Sequence, residues 1–266
     1  MTTTTTHGIA VVTGAAGGMG AVIARKLHTD GRRVLLADID GGAVDALASE
    51  LSADGSTARG LELDVSHKAG FEDGLAVCQE TWGTPTILVN NAAVTQAADL
   101  MTLAEDDFTS VLNTNVNSIF FGCQVFGAAM ADKGFGRIVN MASLAGQNGG
   151  TATGGHYAAS KGAILTTTKV FARELASRGV TVNAVSPGPH DLPWCAGRSR
   201  PTSSKASSRA SRWVGSAARR SSRTRSRCWP PTTPSSSPAP AGTSTADCTS
   251  ADVLPLPLSL HKEKRT

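Results

Sequence analysis

An apolar run, Ile9-Ala10-Val11-Val12-Thr13, passes directly into Gly14-Ala15-Ala16-Gly17-Gly18-Met19-Gly20 and then into a helical pattern from Ala21 to His28. A strand, a glycine turn and a helix in that order admit few architectures. Glycines let the backbone turn tightly and approach a diphosphate, whose charge then meets the free N–H groups at the start of the helix. The spacing is Gly-x-x-x-Gly-x-Gly at Gly14, Gly18 and Gly20, which differs from the commoner G-x-G-x-x-G.

The rest of the chain repeats the alternation. Strands are predicted at Arg33–Asp38, Leu61–Val65, Thr86–Val89, Arg137–Ser143 and Val180–Val185, the last followed by Ser186-Pro187-Gly188. Helices are predicted over Ala43–Leu51, around Phe71–Thr81, from Glu105 to Met130, and through Tyr157 to about Ser177. Strands separated by helices at this spacing make a parallel, doubly wound sheet, and unbroken apolar runs such as Val34-Leu35-Leu36-Ala37 suit strands covered on both faces. The fold class is therefore α/β: a Rossmann-type doubly wound parallel sheet flanked by helices, in a single domain over residues 8–189. Residues 1–7 read as a frayed, threonine-rich terminus.

Such sheets bind ligands at the carboxyl ends of their strands, and the unusual polar residues fall there. Asp38 ends the second strand, twenty positions after Gly18. A carboxylate at that place accepts both ribose hydroxyls of an adenosine and repels a 2′-phosphate. No arginine follows it closely, which favours NAD over NADP. Asn90-Asn91-Ala92-Ala93 ends the fourth strand, Asn115 lies in the middle of a long helical pattern where asparagine is a poor choice, and Ser143 ends the fifth. Tyr157 and Lys161, four residues apart on a helix, share a face. An ammonium beside a phenol favours the phenolate and lowers the tyrosine pKa from its usual value of about 10. His156, in the glycine-rich linker from Leu144, is expected to be exposed.

Assembled in order, these residues resemble the short-chain dehydrogenase/reductase family over residues 8–189. The resemblance is carried by Thr13-Gly14-x-x-x-Gly18-Met19-Gly20, Asp64-Val65, Asn90-Asn91-Ala92, Asn115, Ser143, Tyr157-x-x-x-Lys161 and Pro187-Gly188. Ala93 departs from the glycine usual after Asn-Asn-Ala, and Met19 from the commoner isoleucine. The resemblance implies an oxidoreductase that interconverts a secondary alcohol and a ketone, with Asn115, Ser143, Tyr157 and Lys161 as the catalytic set. Tyr157 would be the acid/base, Lys161 would lower its pKa and hold the nicotinamide ribose, and Ser143 would hydrogen-bond the substrate oxygen. Asn115 would place a water between Lys161 and solvent. Gly14, Gly18, Met19, Gly20, Asp38, Asp64, Val65, Asn91, Ala92, Ala93, Pro187 and Gly188 would surround the cofactor, with Asp64 and Val65 at adenine and Pro187 and Gly188 at nicotinamide. Reduction of 3-oxoacyl thioesters by the same chemistry, or an inactive dinucleotide-binding remnant, are the alternative readings.

Beyond residue 189 the composition changes. Residues 1–189 hold 12 Lys+Arg against 17 Asp+Glu, whereas residues 190–266 hold 13 against 4. The tail is rich in Ser, Arg, Pro, Ala and Thr, without helical or strand periodicity, so an irregular basic segment is expected. Aromatics do not interleave with its arginines as a nucleic-acid platform requires, and no nucleic-acid partner is expected. Its letters also fit a coding sequence read in another frame. Joining the third base of each codon to the first two of the next makes the junction of Trp229 with Pro230 an alanine codon. Continuing through Thr233–Pro234 allows Ser-Asp-Asp-Ala, Ser237–Ala239 allows Thr-Gly, and Gly242–Cys248 allows Asp-Val-Asp-Gly-Gly-Leu. That series is similar to the family's usual ending, at its usual spacing. A frame change near residues 189–191 is therefore expected. The frame-corrected protein would be a homotetramer, as is typical of the family.

The five cysteines show neither a C-x-x-C pair nor metal-ligand spacing with histidine, so no metal site is expected and a reducing cytoplasm is implied. No apolar run approaches the roughly 20 residues of a membrane span. The amino terminus also lacks the basic and apolar regions of a signal peptide.

Overall fold

The computed structural model describes residues 8–150 and 154–188. The expected tail lies outside the described residues. Six strands, β1 (Ile9–Thr13), β2 (Arg33–Asp38), β3 (Ala58–Glu62), β4 (Ile87–Asn90), β5 (Gly136–Met141) and β6 (Val180–Val185), alternate with helices α1 (Gly18–Thr29), α2 (Gly41–Leu51), α3 (Lys68–Thr81), α4 (Glu105–Asp132), α5 (Ala145–Asn148) and α6 (Gly155–Leu175). The sheet order is β3-β2-β1-β4-β5-β6, and every pairing is parallel. The chain winds outward from β1 to one edge and then from β4 to the other, which places a switch point at the carboxyl ends of β1 and β4.

Side chains alternate across the sheet, so one apolar run supplies two cores. Val11, Leu35, Leu88 and Ile138 face Phe71, Ile119, Phe126 and Ile164 of α3, α4 and α6. Val12, Val34, Leu36 and Val89 face Ala24, Val44 and Leu47 of α1 and α2. Phe71 and Phe126, both fully buried, meet edge to face at 6.5 Å between centroids. Burial of each such side chain contributes roughly 1.5–3 kcal/mol.

Strands β1, β2 and β6 have the predicted bounds; β3 does not. Its pairing runs from Val34↔Ala58 to Asp38↔Glu62, three residues earlier than the apolar letters suggest. Edge-strand position is set by hydrogen bonding to β2, and Leu63 and Val65 are apolar because they are buried beside Phe71 in the loop that follows. Strand β5 likewise ends at Met141, so Ser143 stands two residues beyond it, ahead of a short helix, α5, that the sequence does not announce.

Candidate active site

The glycine loop and the end of β4 are built as one unit. The Thr13 hydroxyl accepts hydrogen bonds from the backbone N–H groups of Asn91 (3.0 Å) and Ala92 (3.1 Å). The Asn91 amide donates to the carbonyls of Thr13 and Gly14, each at 3.1 Å. Asn91 therefore positions the loop through its side chain. Gly14 and Gly20 are glycines because of contact: a Cβ on Gly14 would stand 2.8 Å from Ala92 Cα, and one on Gly20 only 1.9 Å from the Gly14 carbonyl oxygen. Gly17 and Gly18 have nothing within 4 Å of a hypothetical Cβ, so the space before α1 is open.

That opening fits a diphosphate. No side chain caps the start of α1 and no acidic residue lies in its first turn, which leaves the helix N-terminus to an anion. Beside it, a cleft of about 290 Å³ is lined by Gly14, Asp38, Asp64, Val65, Ala92 and Ala93, together with Thr114 and others. Six predicted cofactor residues thus converge from the ends of β1, β2, β3 and β4. Asp38 is held there by Ala16 N–H on Oδ2 (3.0 Å) and Asp40 N–H on Oδ1 (3.2 Å). Asp64 accepts from the backbone and hydroxyl of Ser66 at 2.8 and 2.7 Å, which holds its carboxyl below the usual range. Among the described residues, no lysine or arginine lines this cleft.

The second half of the site lies at the ends of β5 and β6. Leu144 N–H donates to the Pro187 carbonyl at 3.0 Å, tying the turn after β6 to the segment after Ser143. Ser143 Oγ accepts from Ala145 N–H at 3.1 Å and also interacts with the Tyr157 hydroxyl. Lys161 is 3% exposed, and its Nζ donates to the Met141 carbonyl at 2.7 Å while standing 5.5 Å from the centroid of the Tyr157 ring. Burial pushes the Lys161 ammonium down to about 8.

The expected lowering of the Tyr157 pKa is not found. Burial raises it, and the hydrogen bond with Ser143 opposes that rise. The reason is solvation: the pocket that brings cation and phenol together also strips both of water.

Asn115, fully buried, accepts from Val94 N–H (2.8 Å) and donates to the Val94 carbonyl (2.9 Å) and to Ser160 Oγ (3.0 Å). Ser160 Oγ in turn donates to the Tyr157 carbonyl at 2.7 Å. This chain links the loop after β4 to the helical turn that carries Tyr157. Ser160 passes unnoticed in the sequence, although its i+3 spacing from Tyr157 is the available signal. A second buried group, Asn90 to Asn140 (2.9 Å) and Asn140 to Thr168 (3.0 Å), joins β4, β5 and α6. His156 is not an exposed loop residue: it lies in the first turn of α6 and has no solvent exposure.

A sequence profile described as short chain dehydrogenase matches residues 8–200. The chain belongs to the short-chain dehydrogenase/reductase family. Members of this family are oxidoreductases that act on CH–OH groups and bind a nicotinamide dinucleotide. The chain is 37% identical over 182 residues to the 3-oxoacyl-(acyl-carrier-protein) reductase FabG of Escherichia coli (strain K12), covering 68% of this chain and 72% of that relative. It is 38% identical over 181 residues to the D-threitol dehydrogenase of Mycolicibacterium smegmatis, covering 67% and 68%. A crystal structure of NAD+-bound xylitol dehydrogenase superposes with a TM-score of 0.67 at 31% identity, covering 71% of this chain and 72% of that one. Among the described residues no helix is long and apolar enough to cross a membrane, and no group of three or more His, Cys, Asp or Glu is placed to hold a metal ion.

Proposed function

We propose that this dehydrogenase interconverts a secondary alcohol and a ketone with NAD as the preferred dinucleotide. The observation that supports it best is the arrangement of Tyr157, Ser143 and Lys161 at one end of the sheet, beside a cleft whose wall holds Asp38. When bound, the nicotinamide supplies the hydride acceptor or donor. Tyr157 moves the proton: its phenolate takes it from the alcohol in oxidation, and its hydroxyl gives it to the carbonyl oxygen in reduction. Ser143, beside that hydroxyl, presents a second donor to the same substrate oxygen and stabilises charge as it develops. Lys161, oriented by the Met141 carbonyl, supplies positive charge near the ring and a donor for ribose hydroxyls. Asn115 acts through Ser160 and Val94 as a positioning residue.

The xylitol and threitol enzymes among the relatives favour a polyol substrate, and the FabG relatives favour a 3-oxoacyl thioester. Enhanced NADH fluorescence on binding, followed by turnover assays over polyols, simple secondary alcohols and a 3-oxoacyl thioester, separates these readings. Binding with no turnover of any of them refutes the enzyme reading and leaves the inactive remnant.

The cofactor preference has its own test. Two like charges at about 4 Å repel by roughly 4 kcal/mol at a surface-like dielectric, so Asp38 opposes a 2′-phosphate. Asp38→Ser is expected to shift the NAD/NADP ratio of kcat/KM toward NADP by about 100-fold, part of that repulsion being screened. An unchanged ratio removes Asp38 from the discrimination.

The segment beyond residue 189 belongs to the same reading as an out-of-frame ending of this enzyme. Resequencing the gene across the codons for Ser186 to Leu192 checks it. A base gained or lost there is the expected result, and an unbroken frame coding for the tail overturns it.

A further inference from the structure

The loop joining β4 to α4, residues 91–104, is irregular and meets the start of α6 at two points. Leu100 lies against Gly155, where a Cβ would stand 2.5 Å from Leu100 Cδ1, and the Gln96 carbonyl lies against Gly154. His156 is buried at this seam with neither ring nitrogen hydrogen-bonded, and Thr95 Oγ1, one residue before Gln96, is buried and unpartnered as well. Buried polar atoms are nearly always paired, so orphans on both sides of one seam mark a contact poised to form.

The geometry names the contact. The Cε1 and Nδ1 atoms of His156 stand 2.6 and 2.8 Å from the point a Cβ on Gly154 would occupy, and the Gln96 carbonyl oxygen stands 2.8 Å from the same point. Gly154, at φ +78, keeps open the space between that edge of the imidazole and the carbonyl. Nδ1 and the Gln96 oxygen thus border one shared space, and of the two only Nδ1–H can donate. The neighbouring tie, from Val94 through Asn115 and Ser160 to the Tyr157 carbonyl, already fixes the loop two residues earlier.

We propose that His156 is a positioning residue: by donating Nδ1–H to the main-chain carbonyl of Gln96, it latches residues 91–104 onto the turn of α6 that carries Tyr157. The loop is then held to the helical turn that carries the reacting hydroxyl. The link to catalysis rests on Tyr157 as the acid/base.

Full-length His156→Leu and His156→Asn chains test the latch. Leucine keeps apolar bulk without a donor, whereas asparagine keeps a donor near the place of Nδ1. In His156→Leu, amide hydrogen exchange over residues 92–101 is expected to quicken about tenfold. The substrate KM should rise about tenfold, with kcat and NADH affinity within about threefold of the parent. The thermal midpoint should stay close to the parent's, because the opening is confined to this loop and the buried leucine offsets the single hydrogen bond lost. His156→Asn should restore both exchange protection and KM, which a merely space-filling role does not predict. Unchanged exchange in His156→Leu, or a His156→Asn chain no better than it, overturns the proposal. A parent chain that binds NADH without turnover, yet whose exchange still responds to the substitution, refutes the enzyme reading and leaves the latch standing.

Discussion

Tyr157→Phe is expected to lower kcat by about 10³-fold, the middle of the range for loss of a positioned acid/base and equivalent to roughly 4 kcal/mol of barrier. The ring remains and keeps its place on α6, so the loss isolates the hydroxyl. NADH affinity should change by less than about threefold, because the glycine loop and Asp38 lie on other elements. The parent enzyme carries a companion signature in pH. Burial raises the Tyr157 pKa, so at neutral pH the phenol is protonated, which suits reduction of a carbonyl. Oxidation requires the phenolate, whose fraction grows about tenfold per pH unit below the pKa. The kcat/KM for alcohol oxidation should therefore climb with pH from neutrality while that for reduction stays level. Initial rates in both directions across pH 6 to 9 give the profile. Retention of more than about a tenth of parent activity by Tyr157→Phe would remove it as the acid/base.

Lys161→Met should produce two opposite effects, loss of turnover and gain of stability. The folded protein holds the Lys161 pKa at about 8 against an ordinary value of 10.5, burial being the cause. Between those values the unfolded chain binds more protons than the folded one, so stability rises with pH through that window. Below about 8 the penalty of burying the cation is fully present, on the order of 3 kcal/mol. Methionine carries no charge and fits a similar volume, but it leaves the Met141 carbonyl without its donor, at a cost of about 1–3 kcal/mol. The net expectation is a chain more stable by about 1 kcal/mol at pH 7, whose rise between pH 8 and 10 is absent, with kcat lowered about 10²-fold or more. Urea unfolding at pH 7 and pH 10 on both chains measures this. A pH slope that survives the substitution would show that Lys161 is not the buried cation responsible.

Both variants act on groups whose roles come from chain patterns and whose energetics come from packing, which is the division seen throughout the molecule. Strands β1, β2 and β6 are legible to the residue because their apolar runs coincide with their hydrogen-bonded spans. Strand β3 is not, since Leu63 and Val65 are apolar for the sake of the core beside Phe71 rather than of the ladder. The glycines of the first loop are legible in kind, while the 1.9 Å approach that demands Gly20 in particular depends on where the Gly14 carbonyl falls. Asn91 and Asn115 are singled out by their positions in the chain, yet their partners, the Thr13 and Gly14 carbonyls and the backbone of Val94, are many residues away in sequence. His156 reads as a loop residue among glycines and proves to be fully buried, because α6 begins earlier than its letters suggest.

By itself the sequence determined the alternation of strands and helices, the glycine loop and the spacing of Tyr157 from Lys161, because backbone periodicity and steric freedom are local properties. Only the tertiary structure decided the strand order that gathers Asp38, Asp64 and Ala92 around one cleft. It alone showed that burial raises the Tyr157 pKa and lowers that of Lys161. Solvation depends on everything packed around a group, and most of what surrounds Tyr157 and Lys161 arrives from elsewhere in the chain.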